Sequence, residues 1–90
     1  MANLHLIATS PSATRLNELH AAMSSEDAVL FIEDGVYFAR ASEALATLPA
    51  CKVYFLSEDA QVRGIEVKQT VDYAGFVELT TQYDRCVSWY

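Results

Sequence analysis

The chain has 90 residues, the size of one domain covering residues 1–90, and 52% of them are hydrophobic, which predicts a packed core. Twelve acidic and six basic residues give a net charge of −6, and the arginines are scattered singly. Direct nucleic-acid binding is therefore not expected, because it depends on clustered Lys and Arg. No apolar run could span a membrane and the first residues lack a signal-peptide pattern, so we expect a cytoplasmic protein with reduced cysteines.

The first two predicted elements are a strand and a short helix. Residues 3–8 predict the strand, and the segment Thr9-Ser10-Pro11-Ser12 ends it. Either serine can cap the following helix, and Pro11 suits its first turn because no N–H donor is needed there. One apolar face of this helix is formed by Leu16, Leu19 and Met23.

The central stretch of the chain begins at Ala28. Residues 28–32 are continuously apolar and too few for a helix, so they predict a strand that is buried on both faces, as in parallel sheets. The turn Glu33-Asp34-Gly35 follows, and beyond it apolar residues at helical spacing predict a second helix, which Pro49 ends. The inward positions of that helix are Tyr37, Ala41, Ala44, Leu45 and Leu48. Ligands of open α/β sheets gather beyond the carboxyl ends of the strands, so the turn Glu33-Asp34-Gly35 is the candidate crevice.

The second half of the chain continues the alternation. Residues 51–56 predict a third strand, and Ser57 is expected to cap a helix of barely two turns that Gly64 ends. Residues 65–71 hold a weak fourth strand near an edge, and Arg85–Trp89 form a fifth. Asp72 is expected to cap the helix between them, whose inward residues are Tyr73, Phe76, Val77 and Thr80. This order predicts a three-layer α/β fold, with a mostly parallel five-stranded sheet, helices on both faces and right-handed crossovers.

The possible nucleophiles and metal ligands form no recognisable set. Cys51 and Cys86 begin strands, at the end of the sheet opposite the crevice and without a neighbouring His, so packing is favoured over catalysis. Together with His5 and His20 they could supply four zinc ligands, but the spacing matches no close-pair pattern. We therefore predict no metal and no cofactor.

The acids of the crevice turn allow two interpretations. Glu33 and Asp34 could act as a general acid and base. The favoured alternative is that Asp34 caps the following helix while Glu33 ends the strand. The chain contains no glycine-rich nucleotide motif and no serine nucleophile elbow, so no catalytic set is visible.

Several segments, in order and along the whole chain, resemble the DsrH/TusB family. They are Leu4-His5, Ser10-Pro11, Leu30-Phe-Ile-Glu-Asp-Gly-Val-Tyr37, Lys52-Val-Tyr-Phe-Leu56, Asp59, Arg63-Gly64, Val71-Asp-Tyr-Ala-Gly-Phe-Val-Glu-Leu-Thr80 and Trp89. The resemblance implies a DsrE-like fold and a place in a cytoplasmic hetero-oligomer with DsrE/TusD-like and DsrF/TusC-like chains. In the TusBCD branch that assembly relays persulfide sulfur toward 2-thiolation of the tRNA wobble uridine, and in the DsrEFH branch it serves sulfur oxidation.

One position distinguishes the branches. Some DsrH members carry a cysteine where an ungapped comparison places His20, and an imidazole cannot carry a persulfide. The resemblance therefore implies a TusB-like, non-catalytic subunit. Three other hypotheses stay open, namely a DsrH-like subunit of a DsrEFH-type complex in sulfur oxidation, a sulfurtransferase that uses Cys51 or Cys86, and a stand-alone ligand-binding domain that uses the crevice turn.

The high apolar content of so small a domain suggests that part of its surface is covered by another chain. Aromatic side chains are favoured anchors of interfaces. The candidate interface residues are Tyr37, Phe38, Tyr83, Trp89 and Tyr90.

Overall fold

A computed structural model describes residues 2–48 and 52–89, apart from the side chains of residues 42 and 44. The strands are β1 (Asn3–Ile7), β2 (Ala28–Phe31), β3 (Lys52–Leu56), β4 (Thr70–Val71) and β5 (Arg85–Trp89). The helices are α1 (Ala13–Ala22), a 3₁₀ helix (Glu33–Ala41) continued by α2 (Ser42–Leu45), α3 (Ser57–Val62) and α4 (Tyr73–Gln82). The predictions made for Pro49, Cys51 and Tyr90 fall outside the described residues.

The strands form one parallel sheet in the order β4-β3-β2-β1-β5. All four residues of the central strand β2 are buried, as its unbroken apolar sequence predicts. The strand order reverses at β1, which pairs with β2 on one side and with β5 on the other. The predicted α/β architecture with a parallel five-stranded sheet is confirmed.

Apolar clusters on the two faces of the sheet make the fold three-layered. On one face, α1 and the 3₁₀ helix cover the sheet, and the ring of Phe31 stacks on Phe38 at 4.7 Å and on Phe55 at 5.1 Å between centroids. On the other face, Leu79 of α4 packs with Leu4, Ala28 and Leu30. We call these the first and second clusters. The helices therefore lie on both faces, as predicted.

The helix after β2 begins earlier than predicted and is mostly 3₁₀. The Gly35 N–H donates to the Ile32 carbonyl at 2.8 Å, which closes a tight turn immediately after the strand. A Cβ atom at Gly35 would overlap the carbonyl oxygen of Ile7 in β1. Residues 33–35 are therefore the first turn of the helix, pressed against the carboxyl end of β1, rather than a separate loop.

The helix caps are only partly as predicted. The Ser12 hydroxyl caps α1 by accepting the Arg15 N–H at 3.0 Å, so Pro11 precedes the cap and is not in the first turn. Asp72 caps α4, where its carboxylate accepts the Gly75 N–H at 2.7 Å. Ser57 does not cap α3, because its hydroxyl donates to the Glu58 carboxylate at 2.9 Å.

Two residues that were predicted to face inward on α4 are exposed. Tyr73 is 63% and Val77 51% exposed, whereas Leu79 is buried and Phe76 packs against the second cluster. The prediction for Tyr73 and Val77 was wrong because α4 meets the sheet along the face that carries Phe76 and Leu79. No helix in the described residues combines the length and apolarity that a membrane crossing requires.

Candidate functional site

The crevice turn lies beyond the carboxyl end of β2 and is fastened to α3. Glu33 has a positive φ of 50°, a conformation that non-glycine residues rarely adopt. Its backbone N–H donates to the Asp59 carboxylate at 2.6 Å, and its own side chain is exposed. The hydrogen bond from Glu33 to α3 thus holds a strained residue in place at the sheet edge.

Asp34 binds an arginine and does not cap the helix. Its Oδ1 accepts from Arg63 Nε at 3.2 Å and from Nη2 at 3.1 Å. Arg63 also donates to the Asp59 carbonyl at 3.3 Å, and its Nη1 lies 3.9 Å from the Asp59 carboxylate. The capping prediction for Asp34 was wrong, because its carboxylate points to α3. Since the Asp34 carboxylate is paired with Arg63, the geometry supports a structural turn better than a general acid–base pair of Glu33 and Asp34.

An apolar cavity of about 250 Å³ lies between α1 and the 3₁₀ helix. Its lining contains one hydroxyl and no charged side chain, so it offers no anchor for a charged cofactor. The lining residues are Pro11, Ser12, Ala13, Leu16, Phe38 and Ala41.

A buried polar network joins β1 to both of its neighbours in the sheet. His5 is 2% exposed, and its Nε2 lies 3.0 Å from the carboxylate of Asp27, which is equally buried. On its other side, the Trp89 indole N–H donates to His5 Nδ1 at 3.0 Å. An indole nitrogen can only donate, so Nδ1 accepts and Nε2 carries the hydrogen that is directed at Asp27.

Asp27 is the best-bonded acid in this network. Besides His5, its carboxylate accepts the Asn3 N–H at 3.0 Å, the Ser24 N–H at 3.2 Å and the Ser24 hydroxyl at 3.1 Å. Burial alone would raise the pKa of Asp27, but these hydrogen bonds outweigh it and lower the pKa from 3.8 to about 2. Asp27 is therefore ionised across the physiological range and fixes the His5 tautomer.

Trp89 connects this network to the carboxyl edge of the sheet. It pairs with Ile7 across β5 and β1, where the strand order reverses, which is the usual ligand position in open α/β sheets. The Arg15 guanidinium lies 5.4 Å from the indole ring centroid, and Arg15 Nε donates to the Thr9 hydroxyl at 3.2 Å. This edge thus presents an arginine and an indole whose orientation depends on His5.

Sequence reasoning missed this network. From the sequence, His5 was considered as a possible zinc ligand, and Asp27 was assigned no role in a site. The available signal was an acid immediately before a fully apolar strand, together with a histidine inside another apolar strand. The two residues are 22 positions apart, so only the pairing of β1 with β2 brings them together.

The thiol and the second histidine lie elsewhere. Cys86 is a free, exposed cysteine near the amino end of β5, so the interpretation that it serves packing is wrong. The reason is that β5 is an edge strand, with a neighbour on one side only. His20 is half-buried and its Nε2 lies 2.7 Å from the Thr47 hydroxyl. Within the described part of the chain, no three His, Cys, Asp or Glu residues converge as metal ligands would.

The candidate interface aromatics differ in their accessibility. Phe38 is 1% exposed and belongs to the first cluster, so it packs inside. Tyr37 is half-buried, and the Arg40 guanidinium lies over its ring, 5.3 Å from the ring centroid. Tyr83 packs against the second cluster. Of this set, Tyr37, Tyr83 and Trp89 stay partly accessible.

Comparisons with known proteins agree along most of the chain. A family model described as "DsrH like protein" matches residues 9–86. A protein named TusB from Photorhabdus laumondii is 30% identical over 94 residues, covering 96% of this chain and 99% of that protein. Proteins named TusB from Escherichia coli strains are 34% identical over 95 residues with the same coverage. The solution NMR structure of protein Tm0979 from Thermotoga maritima has a TM-score of 0.67 at 23% identity, over 89% of this chain and 92% of that one, and supports the fold alone.

Proposed function

Because this chain belongs to the family of DsrH-like proteins that includes TusB, we propose that it is a non-catalytic subunit of a sulfur-relay hetero-oligomer. Its partners in this proposal are DsrE/TusD-like and DsrF/TusC-like chains, and the assembly supports 2-thiolation of the tRNA wobble uridine. The observation that carries the proposal is the likeness to proteins named TusB over 96% of the chain.

The chemistry of the side chains agrees with a supporting role. A relay subunit that carries sulfur needs an activated thiol, for example beside a histidine or at a helix N-terminus. Cys86 lies instead in an edge strand paired with β1, and His20 stands where an ungapped comparison places the cysteine of some DsrH proteins. We therefore assign persulfide transfer to the partner chains.

The charge of the chain argues against a direct role in holding tRNA. Its net charge is −6, and phosphate binding requires clustered cations. Three of the four arginines already contact groups in their own chain, namely Arg15, Arg40 and Arg63. The purified chain should therefore show no salt-dependent affinity for tRNA.

Reconstitution tests this proposal. The DsrE/TusD-like and DsrF/TusC-like chains are purified with and without this chain, loaded from a labelled persulfide donor, and assayed for delivery of sulfur to an acceptor. We expect the complete assembly to transfer sulfur and the assembly without this chain to be unstable or inactive. Equal transfer in both preparations, or failure of the chain to join the assembly, would overturn the proposal.

The exposure of Cys86 favours one second candidate, a subunit that carries sulfur itself. In that case the Cys86 thiolate attacks the outer sulfur of a donor persulfide, a new S–S bond forms at Cys86, and the donor leaves as a thiolate. Cys86→Ser distinguishes the two candidates within the same reconstitution. A persulfide detected on Cys86 by mass spectrometry, with transfer lost in the serine variant, would establish the carrier role.

A further inference from the structure

The outer face of α4 carries two large apolar side chains that the core does not use. Tyr73 and Val77 are four positions apart, so they lie on one face of the helix, and both are more than half exposed. The inward face is already formed by Phe76 and Leu79, which pack against the second cluster. Apart from an edge-on contact between the rings of Tyr73 and Phe76, 5.8 Å between centroids, core packing does not account for Tyr73 and Val77.

The neighbouring helix α3 packs against the first cluster through Ala60, on the other face of the sheet, but its first turn contacts the beginning of α4. Glu58 of α3 accepts the backbone N–H of Tyr73 at 3.0 Å, which joins α3 to the beginning of α4. Because Glu58 of α3 lies beside them, we call the exposed pair Tyr73 and Val77 the α3–α4 surface.

The border of the α3–α4 surface is negatively charged. Glu58, Asp72 and Glu78 are exposed beside it, and residues 69–84 contain no Lys, Arg or His. The hydrogen bond from the Tyr73 N–H, with one from the Ser57 hydroxyl, lowers the pKa of Glu58, so its charge persists at neutral pH. An apolar patch with an acidic border is complementary to an apolar groove bordered by cations.

We propose that the α3–α4 surface docks a partner protein whose apolar groove is bordered by Lys and Arg. This inference rests on the proposed function, because the partner is a chain of the relay assembly. A second copy is disfavoured, since packing α4 against α4 would bring the same carboxylates together. Anionic lipid and nucleic acid are disfavoured for the same electrostatic reason. Tyr73 is expected to be the anchor, because tyrosine is enriched among the residues that dominate binding energy.

The first test removes the apolar anchors. The double variant Tyr73→Ala/Val77→Ala keeps good helix formers at exposed positions, and its fold is checked by circular dichroism. The matched control, Asn17→Ala/Ala21→Ser, changes an exposed pair at the same spacing on α1, which covers the opposite face of the sheet. Binding to the purified DsrE-like and DsrF-like chains is measured for all three proteins. We expect the dissociation constant to rise at least about tenfold for the α4 variant and to be unchanged for the control.

The second test reverses one border charge. Glu78→Lys should weaken binding at low salt, and the deficit should shrink as salt is raised, because exposed charges are screened. If the double alanine variant is poorly folded, Glu78→Lys alone tests whether the α3–α4 surface binds the partner.

The outcomes separate this inference from the proposed function. If the wild-type chain binds both partners and neither α4 variant weakens binding, the docking surface is wrong and the proposed function stands. If the wild-type chain binds neither partner, both are wrong. If the chain alone forms a dimer that the alanine pair abolishes, the occupant is a second copy and the inference is overturned.

Discussion

Replacing Asp27 by Asn tests the physical interpretation of the buried network. The carboxylate accepts four hydrogen bonds, two at each oxygen, whereas an amide has a single acceptor oxygen, so two of the donors on Asn3, His5 and Ser24 would face an N–H₂ group. The lowering of the Asp27 pKa from 3.8 to about 2 corresponds to about 2 kcal/mol of stability at neutral pH. At least one buried donor left without a partner adds to this loss. We therefore expect Asp27→Asn to lower the free energy of unfolding by about 2–4 kcal/mol.

The assay is urea unfolding, followed by the fluorescence of Trp89, the only tryptophan in the chain. The folded pKa of Asp27 is below its unfolded value, so its contribution is complete above about pH 5 and is lost as the pH falls toward 2. The variant should therefore show a flatter acid dependence than the wild type. Glu66→Gln, an exposed change of the same kind, should alter stability by less than about 0.5 kcal/mol. If Asp27→Asn matches the wild type at pH 7, the reasoning about the network is refuted.

Three further predictions follow from the crevice turn and the thiol. Gly35→Ala should lower the unfolding free energy by about 3 kcal/mol or more or prevent folding, because the added Cβ overlaps the Ile7 carbonyl; wild-type stability in urea would contradict this. Glu33→Gly should stabilise the chain by up to about 1 kcal/mol by relieving the positive φ, and a loss of stability would show that the Glu33 side chain has a structural role. Cys86→Ser should change stability by less than about 0.5 kcal/mol, because the side chain is exposed, and should leave sulfur transfer intact in the reconstituted assembly.

The architecture could be predicted because its signals are local. The unbroken apolar run of β2 predicts burial on both faces, and the spacing of Leu19 and Met23 predicts the inward face of α1; both are buried. The Asp72 cap also depends on a hydrogen bond between residues only three positions apart in the sequence. Signals of this kind need no knowledge of the neighbours in space.

The features that were missed depend on contacts between distant segments. Two of the four hydrogen bonds to Asp27 come from Asn3 and His5 of β1, and the partner of Asp34 is Arg63, which is 29 residues away. The exposure of Cys86 depends on the position of β5 at the sheet edge rather than on its alternation. Helical spacing in α4 could likewise not decide which of its apolar positions meets the sheet.

The most direct test of the central proposal is the 2-thiouridine content of tRNA from a strain that lacks this protein. Nucleosides are quantified by mass spectrometry, with total tRNA as the internal standard and the restored gene as the control. We expect wobble 2-thiouridine to be abolished or greatly reduced while tRNA levels stay normal. Unchanged 2-thiouridine together with impaired growth on reduced sulfur compounds would contradict it and assign the chain to a sulfur-oxidation assembly.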